Sequence, residues 1–79
     1  MEEIFIKIRA LIAEQFAVEE DGITMETNFE EDMGADSVDL VELVMELEEE
    51  FDVGEIPEEE LLKLKTVGDT VRYIFAQSK

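Results

Sequence analysis

The sequence predicts an all-α fold: a small four-helix bundle with one short helix and a long structured loop between the first and second helices. Apolar residues recur at three- and four-residue spacing in three separate stretches. A proline followed by three glutamates marks a further helix start, and turn-forming residues fill the gap after the first stretch. At 79 residues the chain is expected to be one domain, spanning 1–79, close to the smallest size at which a single apolar core holds a fold unaided. It shows no internal repeat and no linker.

In the first stretch Ile4, Ile8, Leu11, Ile12 and Phe16 fall on one helical face, with Glu3, Lys7, Arg9 and Glu14 mostly on the other. From Ala17 to Asp36 the apolar anchors Val18, Ile23 and Phe29 stand apart among Asp21-Gly22, Thr24, Thr27-Asn28 and Gly34, which reads as a structured loop. Loops of that length are uncommon and often functional. The second helix starts at Asp36 or Ser37 and runs to about Phe51. Its stripe of Leu40, Leu43, Val44, Leu47 and Phe51 is predicted to form the centre of the core. Pro57 and Glu58-Glu59-Glu60 open a short third helix, with carboxylates favourably placed in its first turn and Leu61 and Leu64 as its apolar face. Thr66 with Asp69 has the spacing of a capping box, and Val67, Val71, Ile74 and Phe75 supply the last stripe.

Composition excludes most chemistries. With no Cys there is no disulfide, thiolate zinc site or cysteine nucleophile, and with no His the commonest general base and metal ligand is missing. Neither a catalytic residue nor a metal site is expected. The apolar runs fall far short of the roughly 20 residues that span a bilayer, and Met1-Glu2-Glu3 lacks the basic start of a signal or transit peptide. A soluble, cytoplasmic protein with no transmembrane segment is expected.

The net charge is −17, and no Lys or Arg occurs from Ala10 to Leu62. Such a surface repels nucleic acid and anionic membranes and attracts basic protein partners. An apolar content of 46% argues against disorder.

Ser37 stands where the Gly-bearing loop meets the most strongly patterned helix, and Ser78 is the only other serine. A serine at a helix start is commonly just its N-cap. Here Asp36 is an equally good cap with Asp39 three residues on, which leaves Ser37 the first helical position and an exposed hydroxyl. The unpaired amides and positive dipole end of a helix stabilise added negative charge, so this hydroxyl is suited to hold a phosphodiester. No base is at hand to make it a nucleophile in its own right. It reads as a substrate for another enzyme.

The segment Asp32-Met33-Gly34-Ala35-Asp36-Ser37-Val38-Asp39, continued by Val41-Glu42-Leu43-Val44-Met45, resembles the acyl carrier protein family, of the fatty-acid type. The likeness extends through Glu48-Glu49-Glu50-Phe51-Asp52, Glu55-Ile56-Pro57 and Thr66-Val67, nearly the whole chain. It implies a non-enzymatic carrier in fatty acid biosynthesis. Ser37 would then be the attachment site of a covalent 4'-phosphopantetheine taken from coenzyme A, and acyl chains would be carried on it as thioesters. A polyketide, aminoacyl or other specialised carrier is the alternative. Against the family pattern, Gly54 looks like an extra residue, Met33 replaces a commoner Leu, and Leu40 and Leu62 are unusually apolar.

The resemblance also implies partners: a phosphopantetheinyl transferase, and acyl-chain synthases, reductases, dehydratases and acyltransferases with basic docking patches. A monomer is expected. Asp36, Asp39 and Glu42 are the implied contacts to basic residues. Beside them Val38, Val41 and Met45 form a face offset from the core stripe and interleaved with carboxylates that include Glu49. That pattern suits a docking centre with a charged rim, and equally the flank of a core. An expandable acyl cavity is implied as well, and patterning turns Leu40, Val44, Leu47, Ile56, Leu64 and Val71 inward to line it.

Two other classes compete on composition alone. A divalent-cation protein of the EF-hand kind needs oxygen ligands at alternating positions, Gly at the sixth and Glu at the twelfth, and no window satisfies that pattern. An acidic inhibitor or nucleic-acid mimic needs only the charge, and leaves Ser37 incidental.

Overall fold

A computed structural model describes residues 2–77. Helix α1 spans Glu2–Phe16, α2 Ser37–Phe51, α3 Glu58–Leu61 and α4 Val67–Gln77. The loop after α1 contains a short 3-10 turn at Glu20–Gly22, which sequence patterning did not single out. Ser78 lies outside the described residues.

Helix α1 packs against both α2 and α4, and α3 rests on α2. Ile8 and Ile12 of α1, Leu43 and Leu47 of α2, and Val67, Val71 and Ile74 of α4 are almost wholly removed from water. Burial of such side chains is the main favourable term for a domain this small.

The loop is held by hydrogen bonds as well as by buried Ile23 and Phe29. Val18 N–H donates to Ala13 O at 3.1 Å, closing α1 over a left-handed Ala17. The Asn28 side chain accepts from the amides of Glu30 and Glu31, and the Asp32 carboxylate accepts from Asn28 N–H. Farther along the fold the loop is stitched to the start of α4: Phe29 N–H donates to Lys65 O, Val67 N–H to Thr27 O, and Gly68 N–H to Met25 O at 2.7 Å. Gly68 permits that approach, since a Cβ there would stand 2.8 Å from the Met25 carbonyl oxygen. Phe29, nearly fully buried, anchors the loop to the core.

Three expectations about burial need correction. Val18 is exposed, because the chain reverses at Ala17 and carries it away from the core; Ile23 and Phe29 are the loop's buried anchors. Leu40 and Phe51, at the two ends of the α2 stripe, are only half-buried, and the centre of the core is Leu43, Val44 and Leu47. A one-turn α3 is too short to cover Leu40, while Phe51 at the last turn has Lys7 Nζ 5.9 Å above its ring. Leu64 is buried beyond the end of α3, so the helix proper contributes only half-buried Leu61.

Candidate functional site

Asp36 ends the loop in an extended conformation and caps α2 reciprocally with Asp39. The Asp36 carboxylate accepts from Asp39 N–H at 3.0 Å, and the Asp39 carboxylate accepts from Asp36 N–H at 3.2 Å. A buried Ala35, whose amide donates to Phe29 O, and left-handed Gly34 lead the chain into this corner. From the far side, Gln15 Nε2 of α1 donates to Asp39 O at 2.8 Å. The first turn of α2 is thus fixed from three directions.

Ser37 occupies the first helical position and is exposed. Among the described residues its hydroxyl has no hydrogen-bond partner, and the amides of Ser37 and Val38 donate to no protein group. This set suits a phosphodiester: an accessible oxygen for the ester linkage, two open N–H donors for its anionic oxygens, and the positive end of a 15-residue helix. Asp36 and Asp39, the carboxylates on either side of Ser37 in the chain, are already bonded in the cap, so neither is placed to activate the hydroxyl as a nucleophile.

An open groove of about 880 Å³ starts at Ser37 and runs between α2 and the segment that carries α3. Val38, Val41 and Met45 form its outer wall and are 63%, 42% and 58% exposed, so they are no part of the core. Asp36, Glu42 and Glu49 are exposed around them, whereas Asp39 is half-buried and committed to the cap. Of the residues expected to line a cavity, Leu40, Val44 and Ile56 face this groove. Leu47, Leu64 and Val71 instead belong to the closed core, because α1 and α4 pack over that part of the stripe.

Glu48, Leu61 and Leu62 also line the groove, though sequence reading did not place them there. Glu48 lies four and eight residues beyond Val44 and Leu40, the helical spacing that would have found it. Glu42, Glu55 and Glu58 complete a carboxylate rim. On α4, burial raises the pKa of the Tyr73 phenol above its ordinary value, and the charges of Glu60 and Glu48 add to the rise. Among the described residues no three carboxylates converge as a metal site, and no helix is long and apolar enough to cross a membrane.

Comparison with known proteins agrees with this geometry. Residues 7–74 match the family described as a phosphopantetheine attachment site. The chain is 58% identical over 73 residues to an acyl carrier protein of Lactobacillus acidophilus, covering 92% of this chain and 90% of that one. It is 49% identical over 76 residues to an acyl carrier protein of Clostridium acetobutylicum, covering 96% and 97%. A solved structure of the acyl carrier protein from Enterococcus faecalis, described for its high thermal stability, superposes with a TM-score of 0.82 at 40% identity, covering 98% of this chain and 96% of that one. Family members hold 4'-phosphopantetheine covalently and are carriers rather than catalysts. An exposed, unbonded serine at a helix start, a groove beside it and a match over nearly the full length agree, and the chain belongs to the acyl carrier protein family.

Proposed function

We propose that this chain, as one carrier domain, bears acyl groups as thioesters on a phosphopantetheine arm esterified to Ser37, in fatty acid biosynthesis. The observation that carries the reading is the Ser37 hydroxyl: exposed and unbonded, on a helix start whose first two amides are open. When bound, the arm supplies the thiol on which acyl groups are held. The protein contributes the rest. The Asp36–Asp39 cap keeps the attachment hydroxyl clear, the open amides of Ser37 and Val38 receive anionic oxygen, and the groove offers apolar wall at Leu40, Val44 and Ile56.

The exposed face of Val38, Val41 and Met45, rimmed by Asp36, Glu42 and Glu49, is the docking surface. Apolar centre and charged rim match the anatomy of a protein interface, and the excess of carboxylates selects partners with basic patches. Those partners are the phosphopantetheinyl transferase and the synthases, reductases, dehydratases and acyltransferases that handle acyl chains. The carrier acts as a monomer in the cytoplasm, since a face that must be free for many enzymes in turn is not spent on a permanent partner.

The test is to identify the thioesters on protein isolated from its native cell. Saturated and β-oxidised fatty acyl groups of graded length are expected. Aminoacyl or branched polyketide groups in their place would overturn the fatty acid assignment and leave the carrier reading standing.

A further inference from the structure

Leu40, Val44 and Glu48 follow one another at four-residue spacing along α2 and all line the groove. Ser37 stands at one end of this row, and Glu48 lies about 16 Å farther along the helix axis. A carboxylate is out of place in an apolar wall unless it is bonded. Glu48 is half-buried, and its Oε2 accepts from Ile56 N–H at 2.6 Å.

That bond adds a polar tie to the apolar hold of Ile56, which is buried in the core, and of Val53, which packs against it. Among the described residues it is the only hydrogen bond that ties residues 53–56 to the rest of the protein. The connection turns sharply, with Asp52 and Gly54 both left-handed at φ 50° and 79°. Pro57 has no N–H to offer, so the Ile56 amide is the last donor before α3. Helix α3 is a single turn that packs on α2 directly after Ile56, so its position over the groove depends on where Ile56 is held. An anionic acceptor makes the bond strong, and as the one hydrogen bond of this connection it fixes the backbone that the apolar contacts of Ile56 and Val53 alone would hold less firmly.

We propose that Glu48 is a specificity-determining residue of the groove: its carboxylate, bonded to the Ile56 amide at the end remote from Ser37, pins the α2–α3 connection and limits the length of apolar chain that is sheltered. This rests on the acyl-carrier reading above. Removing the carboxylate leaves the connection held by the apolar contacts of Val53 and Ile56 alone, so that it yields more readily on the slack around Gly54, and it also takes a charge from the path of an advancing chain end. Glu49 is the control. It follows Glu48 in sequence and carries the same charge, but it is exposed and does not line the groove.

Two measurements on Glu48→Ala, Glu48→Gln and Glu49→Ala test the proposal. In the unloaded protein, amide hydrogen exchange at Ile56 should quicken at least tenfold in Glu48→Ala, by less in Glu48→Gln, which retains a neutral acceptor, and not in Glu49→Ala. Amides of Ile8, Leu47 and Val71 should keep their protection in all three, which separates a released connection from a loosened fold. In protein loaded with saturated acyl groups of increasing length, the melting temperature of the parent and Glu49→Ala should rise and then level off. The plateau of Glu48→Ala should move to longer chains. Unchanged exchange at Ile56, or a plateau at the same length in Glu48→Ala and the parent, overturns the role of Glu48. A parent profile that is flat at every length overturns the sheltering groove itself, even where exchange at Ile56 responds as expected.

Discussion

Asp36 and Asp39 cap each other at the head of α2, each carboxylate accepting from the other's backbone amide. The consequence for function lies between them. Because the cap is built from residues on either side, Ser37 is left at the first helical position with nothing asked of its hydroxyl. Asp36→Ala should therefore destabilise the fold by about 1 kcal/mol, lowering the melting temperature by roughly 4–8 °C for a domain of this size. Asp36→Ser, which can still cap, should recover most of that loss. Equal melting temperatures for parent and Asp36→Ala would show that the box does not hold the corner.

The rim charges should act on encounter rather than on the fold. Reversing Glu42, which is exposed and whose side chain makes no hydrogen bond among the described residues, should slow association with a basic synthase by roughly two- to tenfold at low salt. The difference should fade as salt is raised, since exposed charges are screened within about 10 Å at 0.1 M. Asp39→Lys is a poorer probe, because it breaks the cap as well. Equal association rates for the parent and Glu42→Lys in stopped-flow at low salt would remove Glu42 from the docking surface.

How far the site could be read from sequence depended on whether the information was local. The cap at Asp36–Asp39 and the box at Thr66–Asp69 are set by three-residue spacings, and both occur where the spacing puts them. The free hydroxyl of Ser37 follows from the first. Inward-facing residues were legible as a stripe, but the stripe does not say what each one faces. Leu47 and Val71 are covered by other helices, while Leu40 opens onto the groove because α3 is only one turn long. The clasp of Met25 on Gly68 and the hold of Glu48 on Ile56 join residues 43 and eight positions apart. Neither has a periodic signature, and only the fold shows them.

Asp69 gives the structure a defined response to acid. Burial raises its pKa, but the amides of Thr66 and Lys65, the Arg72 guanidinium and the Thr66 hydroxyl outweigh that effect and hold the carboxyl below its ordinary value of 3.8. A carboxyl with a lower pKa in the folded state stabilises the fold above its unfolded value, and that stabilisation is lost as pH falls through the folded value. Asp69→Ala should be less stable than the parent by about 1 kcal/mol at neutral pH. The gap should stay constant down to about pH 4 and narrow below it. Urea titrations across that range check this, and a gap that widens with acid would contradict it.

Carboxylates crowd the stretch from Glu42 to Glu60 with no basic residue among them, and folding brings them closer than in the expanded chain. Moderate salt or millimolar magnesium should therefore raise the melting temperature, by roughly 4–8 °C for each kcal/mol of repulsion relieved. A melting temperature that is unchanged or lowered in salt would mean that the repulsion is already met in the fold.

The central claim is that one hydroxyl, at the head of α2, is the attachment point. The most direct test is the intact mass of the protein after incubation with a phosphopantetheinyl transferase and coenzyme A, with Ser37→Ala treated in parallel. The parent should gain the mass of a single phosphopantetheine, mapped by peptide fragmentation to Ser37, and Ser37→Ala should stay folded and gain nothing. Modification of Ser37→Ala, or a parent that no competent transferase modifies, would contradict the account.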